Sequence, residues 1–275
     1  MMQLLARLPL PVLHALGSFA GWVIYASSPG YRRHLKENLA RAGYRDARLR
    51  RAAIAEAGKM LLEAPRLWLR PSAENLALLR EIDGLAHYDA ARAAGKAIVV
   101  LTPHTGCFEI CGQAFAARHP ITVLYRPSKQ AWLQPLIDRG RAQPGMSIAS
   151  ADLVGVRRLL AALKRGETVG MLPDQVPGVG EGEWAEFFGS PAYTMTFAAK
   201  LAQRPDVVCL VFIGERLPRG AGYVLRIRPL PPALPGESGP RRINRALESM
   251  VRMAPAQYLW GYNRYKTPAG APPPP

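Results

Sequence analysis

Ala97-Ile98-Val99-Val100-Leu101-Thr102-Pro103-His104-Thr105-Gly106-Cys107-Phe108-Glu109 runs from an unbroken apolar segment into a turn that carries a histidine and then a carboxylate. A β-branched run that stops at Thr-Pro and gives way to a Gly-containing turn reads as a buried strand feeding a helix. His104 then sits in the turn at the strand's carboxyl end, and Glu109 falls in the first turn of the helix. From there the carboxylate can curl back to one imidazole nitrogen, fixing the tautomer and leaving the other nitrogen as a general base. Such a pair has a base and an orienter but no nucleophile of its own, so the hydroxyl it activates belongs to a substrate. The spacing alone is a short motif. A Glu is favoured in a first helical turn on dipole grounds, and a His after a strand is often an ordinary loop residue.

Outward from this stretch, strand and helix alternate. Strands are expected over Ile121 to Tyr125, Thr168 to Leu172, Val207 to Ile213 and Tyr223 to Ile227. Helices are expected over Leu85 to Ala94, Gln130 to Arg141, Leu153 to Lys164 and Met195 to Gln203, with a short one over Glu74 to Arg80. Upstream, Tyr31 to Arg70 carries apolar residues at helical spacing and reads as two helices broken near Gly43 and ending before Pro71. The alternation implies an α/β fold, a mainly parallel or mixed central sheet flanked by helices, with the last strands paired antiparallel. Ligands in such sheets bind at the strands' carboxyl ends. His104, Arg126 and the pair Asp174-Gln175 each follow a strand there, so three polar groups converge on one edge. Singly, each reads equally as a loop residue, and Asp174-Gln175 as a turn-stabilising pair before Pro177-Gly178.

The chain has 275 residues, 36 Lys and Arg against 20 Asp and Glu, and a formal charge of +16. That excess attracts acidic partners: nucleic acid, an anionic membrane, a phosphorylated substrate or an acidic carrier protein. The basic residues lack the aromatic interleaving or finger spacing of nucleic-acid binders, which disfavours that class. Leu8 to Ser27 carries no Asp, Glu, Lys or Arg, and about 20 such residues just span a bilayer. Pro9, Pro11, Gly17, Ser18, Gly21 and His14 weaken the run. It reads as a membrane anchor at residues 1–28, spanning or lying on the bilayer, with a signal peptide as the competitor. Arg32, Arg33, His34 and Lys36 after it keep the following domain, 29–266, on the cytoplasmic side of an inner membrane. Residues 267–275 are a proline-rich tail expected to be disordered. Cys107, Cys111 and Cys209 are an odd set without disulfide spacing. They read as buried packing residues, with a Cys/His nucleophile or metal site as the less favoured alternative. There is no phosphate loop, dinucleotide fingerprint or serine elbow.

Several blocks taken in order resemble one family. They are Glu37-Asn38-Leu39 after the apolar helix, His104-x4-Glu109, Leu124-Tyr125-Arg126-Pro127, Pro173-Asp174-Gln175, Phe187-Phe188-Gly189-Ser190-Pro191-Ala192-Tyr193-Thr194, and Pro255 to Arg264. Together they resemble the bacterial lysophospholipid acyltransferase superfamily, in particular the late lauroyl and myristoyl transferases of lipid A biosynthesis. The resemblance implies a glycerolipid acyltransferase-like fold and transfer of a fatty acyl chain from an acyl carrier protein thioester to a hydroxyl of an anionic lipid A precursor, with no cofactor or metal. It implies His104 and Glu109 as the catalytic pair, and Arg126, Asp174, Gln175 and Thr194 as substrate-binding groups. Arg126 suits an oxyanion or an acceptor phosphate equally, and backbone N–H groups from Thr105 to Cys107 are further oxyanion donors. The same chemistry on a lysophospholipid, an ornithine lipid or another glycolipid is the alternative, as is a noncatalytic basic membrane-binding homologue.

Overall fold

The computed structural model describes residues 2–127 and 134–275, Leu136 by its backbone alone. Gln130 to Leu133, the expected start of one helix, lie outside the described residues. The chain opens with helices α1 (Met2–Arg7), α2 (Leu10–Ser27), α3 (Pro29–Arg41), α4 (Ala47–Leu69) and α5 (Ser72–Leu76). It continues β1 (Leu79–Asp83), α6 (Leu85–Ala93), β2 (Ala97–Leu101), α7 (Phe108–Ala116), β3 (Ile121–Tyr125) and α8 (Gln134–Arg141). Then come β4 (Met146–Ser150), α9 (Leu153–Lys164), β5 (Thr168–Met171), β6 (Gly182–Phe187), β7 (Ser190–Met195) and α10 (Thr196–Ala202). The last elements are β8 (Val207–Arg216), β9 (Tyr223–Pro229) and α11 (Gly239–Met253).

Seven strands form one mixed sheet in the order β1-β9-β8-β2-β5-β3-β4. From β8 to β4 the neighbours run parallel, while β9 turns back antiparallel to β8 and β1 runs parallel to β9. The unbroken apolar run of β2 follows from its central place, because both of its faces are covered. Val99 and Leu101 point into a core shared with α9, α10 and α11. Ile98 and Val100 point into a second core under α6 and α7. Helix starts match their sequence signals. Asp46 accepts hydrogen bonds from the amides of Arg48 and Leu49 at the head of α4, and Asp152 accepts one from Gly155 at the head of α9.

Six elements depart from the sequence reading. The short helix expected over Glu74 to Arg80 covers only Ser72–Leu76, and Leu79–Asp83 is an edge strand beside β9. Its charges are explained by position: Asp83 lies between Arg226 and Arg228 of β9. β4 forms the opposite edge of the sheet. β6 and β7 make a separate hairpin whose two-residue turn, Phe188-Gly189, has φ of +47° and +72°. Positive φ at both central residues is what a tight right-twisted hairpin requires, and glycine supplies it without strain at the second. Phe188 tolerates it because its amide donates to Glu248 of α11 at 3.0 Å and its ring is buried. α11, with Ile243, Leu247 and Val251 buried, packs on this side of the sheet. In the tail, the Trp184 indole of β6 donates to the Pro272 carbonyl at 2.9 Å.

Candidate active site

β2 and β5 are neighbours with Leu101 opposite Met171, and the Thr102 amide donates to the Met171 carbonyl at 3.2 Å. His104 lies three residues past the end of β2 and Asp174 three past the end of β5, so parallel pairing in register delivers them side by side. The Asp174 carboxylate receives the His104 amide at 2.9 Å and the His104 Nδ1 hydrogen at 2.6 Å. Asp174 is 2 % exposed. Burial by itself would raise its carboxyl, but the charge of His104 and its two hydrogen bonds outweigh that and hold Asp174 below the usual carboxylate range. A carboxylate can only accept, so Nδ1 carries the shared hydrogen, and in the neutral ring Nε2 is the nitrogen with the lone pair, 3.2 Å from the Gln175 side-chain amide. The Phe108 ring stands edge-on to the imidazole at 5.3 Å.

This geometry revises the pairing expected from His-x4-Glu. Glu109 does not curl back to His104. Its carboxylate is held by Arg141 of α8, with Nη2 at 2.5 Å and Nε at 3.3 Å from its two oxygens. Arg141 also lies 5.8 Å over the Tyr125 ring. Burial alone would lower the Arg141 guanidinium, and Glu109 reverses this, holding it above its ordinary value. Arg141 was absent from the sequence reading because a basic residue in the last turn of a helix is expected there anyway.

The backbone donors expected between Thr105 and Cys107 are already engaged. The Thr105 amide donates to Pro103, Gly106 to Gln257, and Cys107 to Gly214 at 2.7 Å. An oxyanion at this site must take its donors from elsewhere, and the side chains of Arg126 and Gln175 both border the same cavity. Cys107 and Cys111 are buried, and burial pushes both thiols up, which favours packing residues over a thiolate nucleophile. Among the described residues no three His, Cys, Asp or Glu side chains are grouped to hold a metal.

Thr194 is not brought to the site. Its hydroxyl sits in the hairpin, accepts from Asn244 at 2.9 Å and from Arg264 at 2.7 Å, and donates to Ala192. Arg264, almost wholly buried, lowers the Asp174 carboxyl electrostatically, so Thr194 acts at one remove. Two sequence blocks far apart form the site's support. The Asn38 side chain donates to the carbonyls of Trp260 and Tyr262 at 2.7 and 2.8 Å. The Leu259 amide donates to the His104 carbonyl, and the Tyr262 hydroxyl accepts the Val176 amide two residues past Asp174.

Below the imidazole a cavity of about 220 Å³ runs between α7 and the sheet. Its mouth carries His104, Glu109, Arg126, Arg141 and Gln175, and its depth is walled by Val100, Phe115, Ile121, Val123, Met146 and Phe212. Gly170 of β5 keeps the floor open. A Cβ there would stand 3.4 Å from Val100 Cγ2 and 3.5 Å from Ile121 Cδ1, within the space now empty. A clamped base over an apolar pocket with two arginines at its rim suits a long hydrocarbon chain ending in a polar, reacting group.

Comparison with known proteins points to one family. The chain is 29 % identical over 220 residues to the lipid A biosynthesis lauroyltransferase of Escherichia coli K12, covering 78 % of this chain and 71 % of that protein. It is 26 % identical over 274 residues to the lipid A biosynthesis palmitoleoyltransferase of the same organism, covering 95 % and 87 %. A lipid A biosynthesis acyltransferase of Haemophilus influenzae is 27 % identical over 191 residues, 69 % of this chain and 60 % of that one. With the family model for bacterial lipid A biosynthesis acyltransferases matching residues 1–267, the chain belongs to that family and is an acyltransferase.

Proposed function

We propose that the protein transfers a fatty acyl chain from an acyl carrier protein thioester to a hydroxyl of a lipid A precursor at the cytoplasmic face of the inner membrane. The observation that carries this reading is the His104–Asp174 clamp, in which the carboxylate holds Nδ1 and the histidine lines an apolar-walled cavity. His104 removes the proton from the acceptor hydroxyl as that oxygen attacks the thioester carbonyl. Asp174 holds the ring and stabilises the imidazolium that forms. Collapse of the tetrahedral intermediate expels the thiolate of the carrier, which takes the proton back from His104. A thioester is already activated, so a nucleophilic residue of the enzyme is not required. The acyl chain lies in the cavity beneath, and Arg126 and Gln175 face the oxyanion or the acceptor's phosphate. Glu109 acts through Arg141, fixing that guanidinium at the mouth where an anionic substrate enters. The net charge of +16 favours both an acidic carrier and anionic lipid.

The test is lipid mass spectrometry of membranes from cells with and without the gene, beside the His104→Ala variant. Loss of one acyl group from lipid A in both the null strain and the variant is the expected result. An unchanged lipid A with another lipid altered would move the acceptor to that lipid, and no change in any lipid would end the catalytic reading.

A further inference from the structure

α2 has two faces put to opposite uses. Leu10, Leu13, His14, Gly17 and Gly21 are buried. Val12, Ala15, Leu16, Phe19, Trp22, Val23 and Ala26 recur at helical spacing on the other side, and all are exposed. A helix with that side in water would place polar residues there, yet this stripe has none, and Phe19 is 70 % exposed. Exposed basic residues stand at both ends, Arg7 before the stripe and Arg33 and Lys36 after it. The Arg32 guanidinium lies 5.9 Å over the Tyr25 ring at the close of α2. An apolar stripe between cationic ends matches the leaflet of an anionic membrane.

The buried face decides how α2 meets that membrane. It is joined to α4 backbone to backbone: a Cβ on Gly58 would lie 1.9 Å from the Gly17 carbonyl oxygen, and one on Gly21 would lie 2.1 Å from that of Ile54. His14 donates to Glu63 at 3.2 Å, and Arg66 donates to the Leu8 carbonyl. These pairs run antiparallel from Leu8 to Gly21. Over the same length α4 carries Glu56, Lys59, Glu63 and Arg66. Arg216 at the end of β8 bonds Glu56 and Glu63, and the Tyr223 hydroxyl at the start of β9 donates to Glu63. If α2 crossed the hydrocarbon, these charges and the ends of two strands would have to cross beside it, against the cost of placing ionised groups and open backbone in lipid. Its 18 residues make about 27 Å of helix at 1.5 Å each, against a hydrocarbon core of about 30 Å.

We propose that α2 is an in-plane anchor: the stripe from Val12 to Ala26 sinks into one leaflet, and the N-terminus stays on the same side of the membrane as the catalytic domain. The inference shares with the proposed function only the presence of a membrane. It is tested on the full chain in spheroplasts of a Gram-negative host. The three native cysteines are buried, so single cysteines introduced at exposed positions report alone. Gln3→Cys in α1 and Arg157→Cys in α9 are expected to resist a membrane-impermeant maleimide in intact spheroplasts and both to react after permeabilisation. Reaction of Gln3→Cys alone in intact spheroplasts would mean that α2 spans, and would overturn the proposal. With vesicles of phosphatidylethanolamine and phosphatidylglycerol, the purified Phe19→Glu/Val23→Glu variant is expected to lose about tenfold or more in sedimented fraction while keeping the wild-type melting temperature. Unchanged sedimentation, or a dimer that dissociates in the variant with no change in vesicle binding, would also overturn it. Neither readout depends on acyl transfer, so an inactive protein that passes both would count against the catalytic reading alone.

Discussion

In the proposed mechanism Asp174 carries more of the chemistry than its place in the sequence announces. A carboxylate that accepts both the backbone amide and the ring hydrogen of one histidine sets that histidine's position and tautomer together. Asp174→Asn keeps the shape but can present an N–H to Nδ1, which favours the tautomer with its hydrogen on Nε2, the wrong one for a base. The expected loss is about 10³–10⁴-fold in kcat with KM little changed, by analogy with the equivalent change in serine protease triads. Glu109→Gln should behave differently, because its partner is Arg141. We expect a smaller fall in kcat and a rise in KM for the anionic acceptor. Steady-state kinetics on the two variants separate the roles, and a kcat loss in Glu109→Gln as large as that in Asp174→Asn would return Glu109 to direct contact with the base. His104, Arg126, Asp174 and Gln175 were legible in the sequence because each follows an apolar strand. Which carboxylate meets the histidine was not, because that depends on β2 and β5 being neighbours, and adjacency in a parallel sheet leaves no local trace.

At the level of elements, the central strands announced themselves and the edges did not. β2, β3 and β5 are buried and read as apolar runs, whereas β1 is a short charged edge strand and β4 a short edge strand with Ser147 and Ser150. The β6–β7 hairpin was hidden in a stretch matched only as a family block, since its Phe188-Gly189 turn departs from the usual Asn-Gly pair. α11 carries eight buried residues among its charges, and its signal was missed beside the proline-rich approach to it. β5 owes its function to one residue. Gly170 lies in the cavity floor between its strand neighbours Val100 and Val123, so Gly170→Leu should fill the floor without disturbing the His104–Asp174 clamp. The expected result is at least tenfold discrimination against long acyl donors relative to short ones, from the few kcal/mol that overpacking by several carbons costs. Acyl carrier thioesters of graded length provide the measurement. Equal loss at every length would show that the chain does not lie over Gly170.

On the scale of the whole molecule, one buried ionic cluster ties the N-terminal helices to the sheet. Glu63 accepts from His14 of α2, Arg216 of β8 and Tyr223 of β9. Burial would raise the Glu63 carboxyl, but the charge and hydrogen bonds of Arg216, reinforced by His14, bring it from its ordinary 4.5 to about 2. A carboxyl whose folded value lies below its unfolded one stabilises fully above the unfolded value, and that stabilisation is lost as pH falls through the folded one. The contribution of Glu63 is therefore complete above about pH 5, declines below the ordinary glutamate value and is gone near pH 2. Removing one member of a buried pair costs about 3–5 kcal/mol, and Glu56 remains to hold Arg216 at 2.6 Å, which places Glu63→Gln at the lower end. A loss of about 3 kcal/mol corresponds to roughly 6–12 °C in Tm for a chain of this size. Thermal melts of wild type and variant should thus differ most at neutral pH and converge toward pH 2.5. A gap that stayed constant across that range would mean that the carboxylate's charge is not what binds α2 and α4 to β8 and β9, and that the glycine contacts alone hold the anchor to the domain.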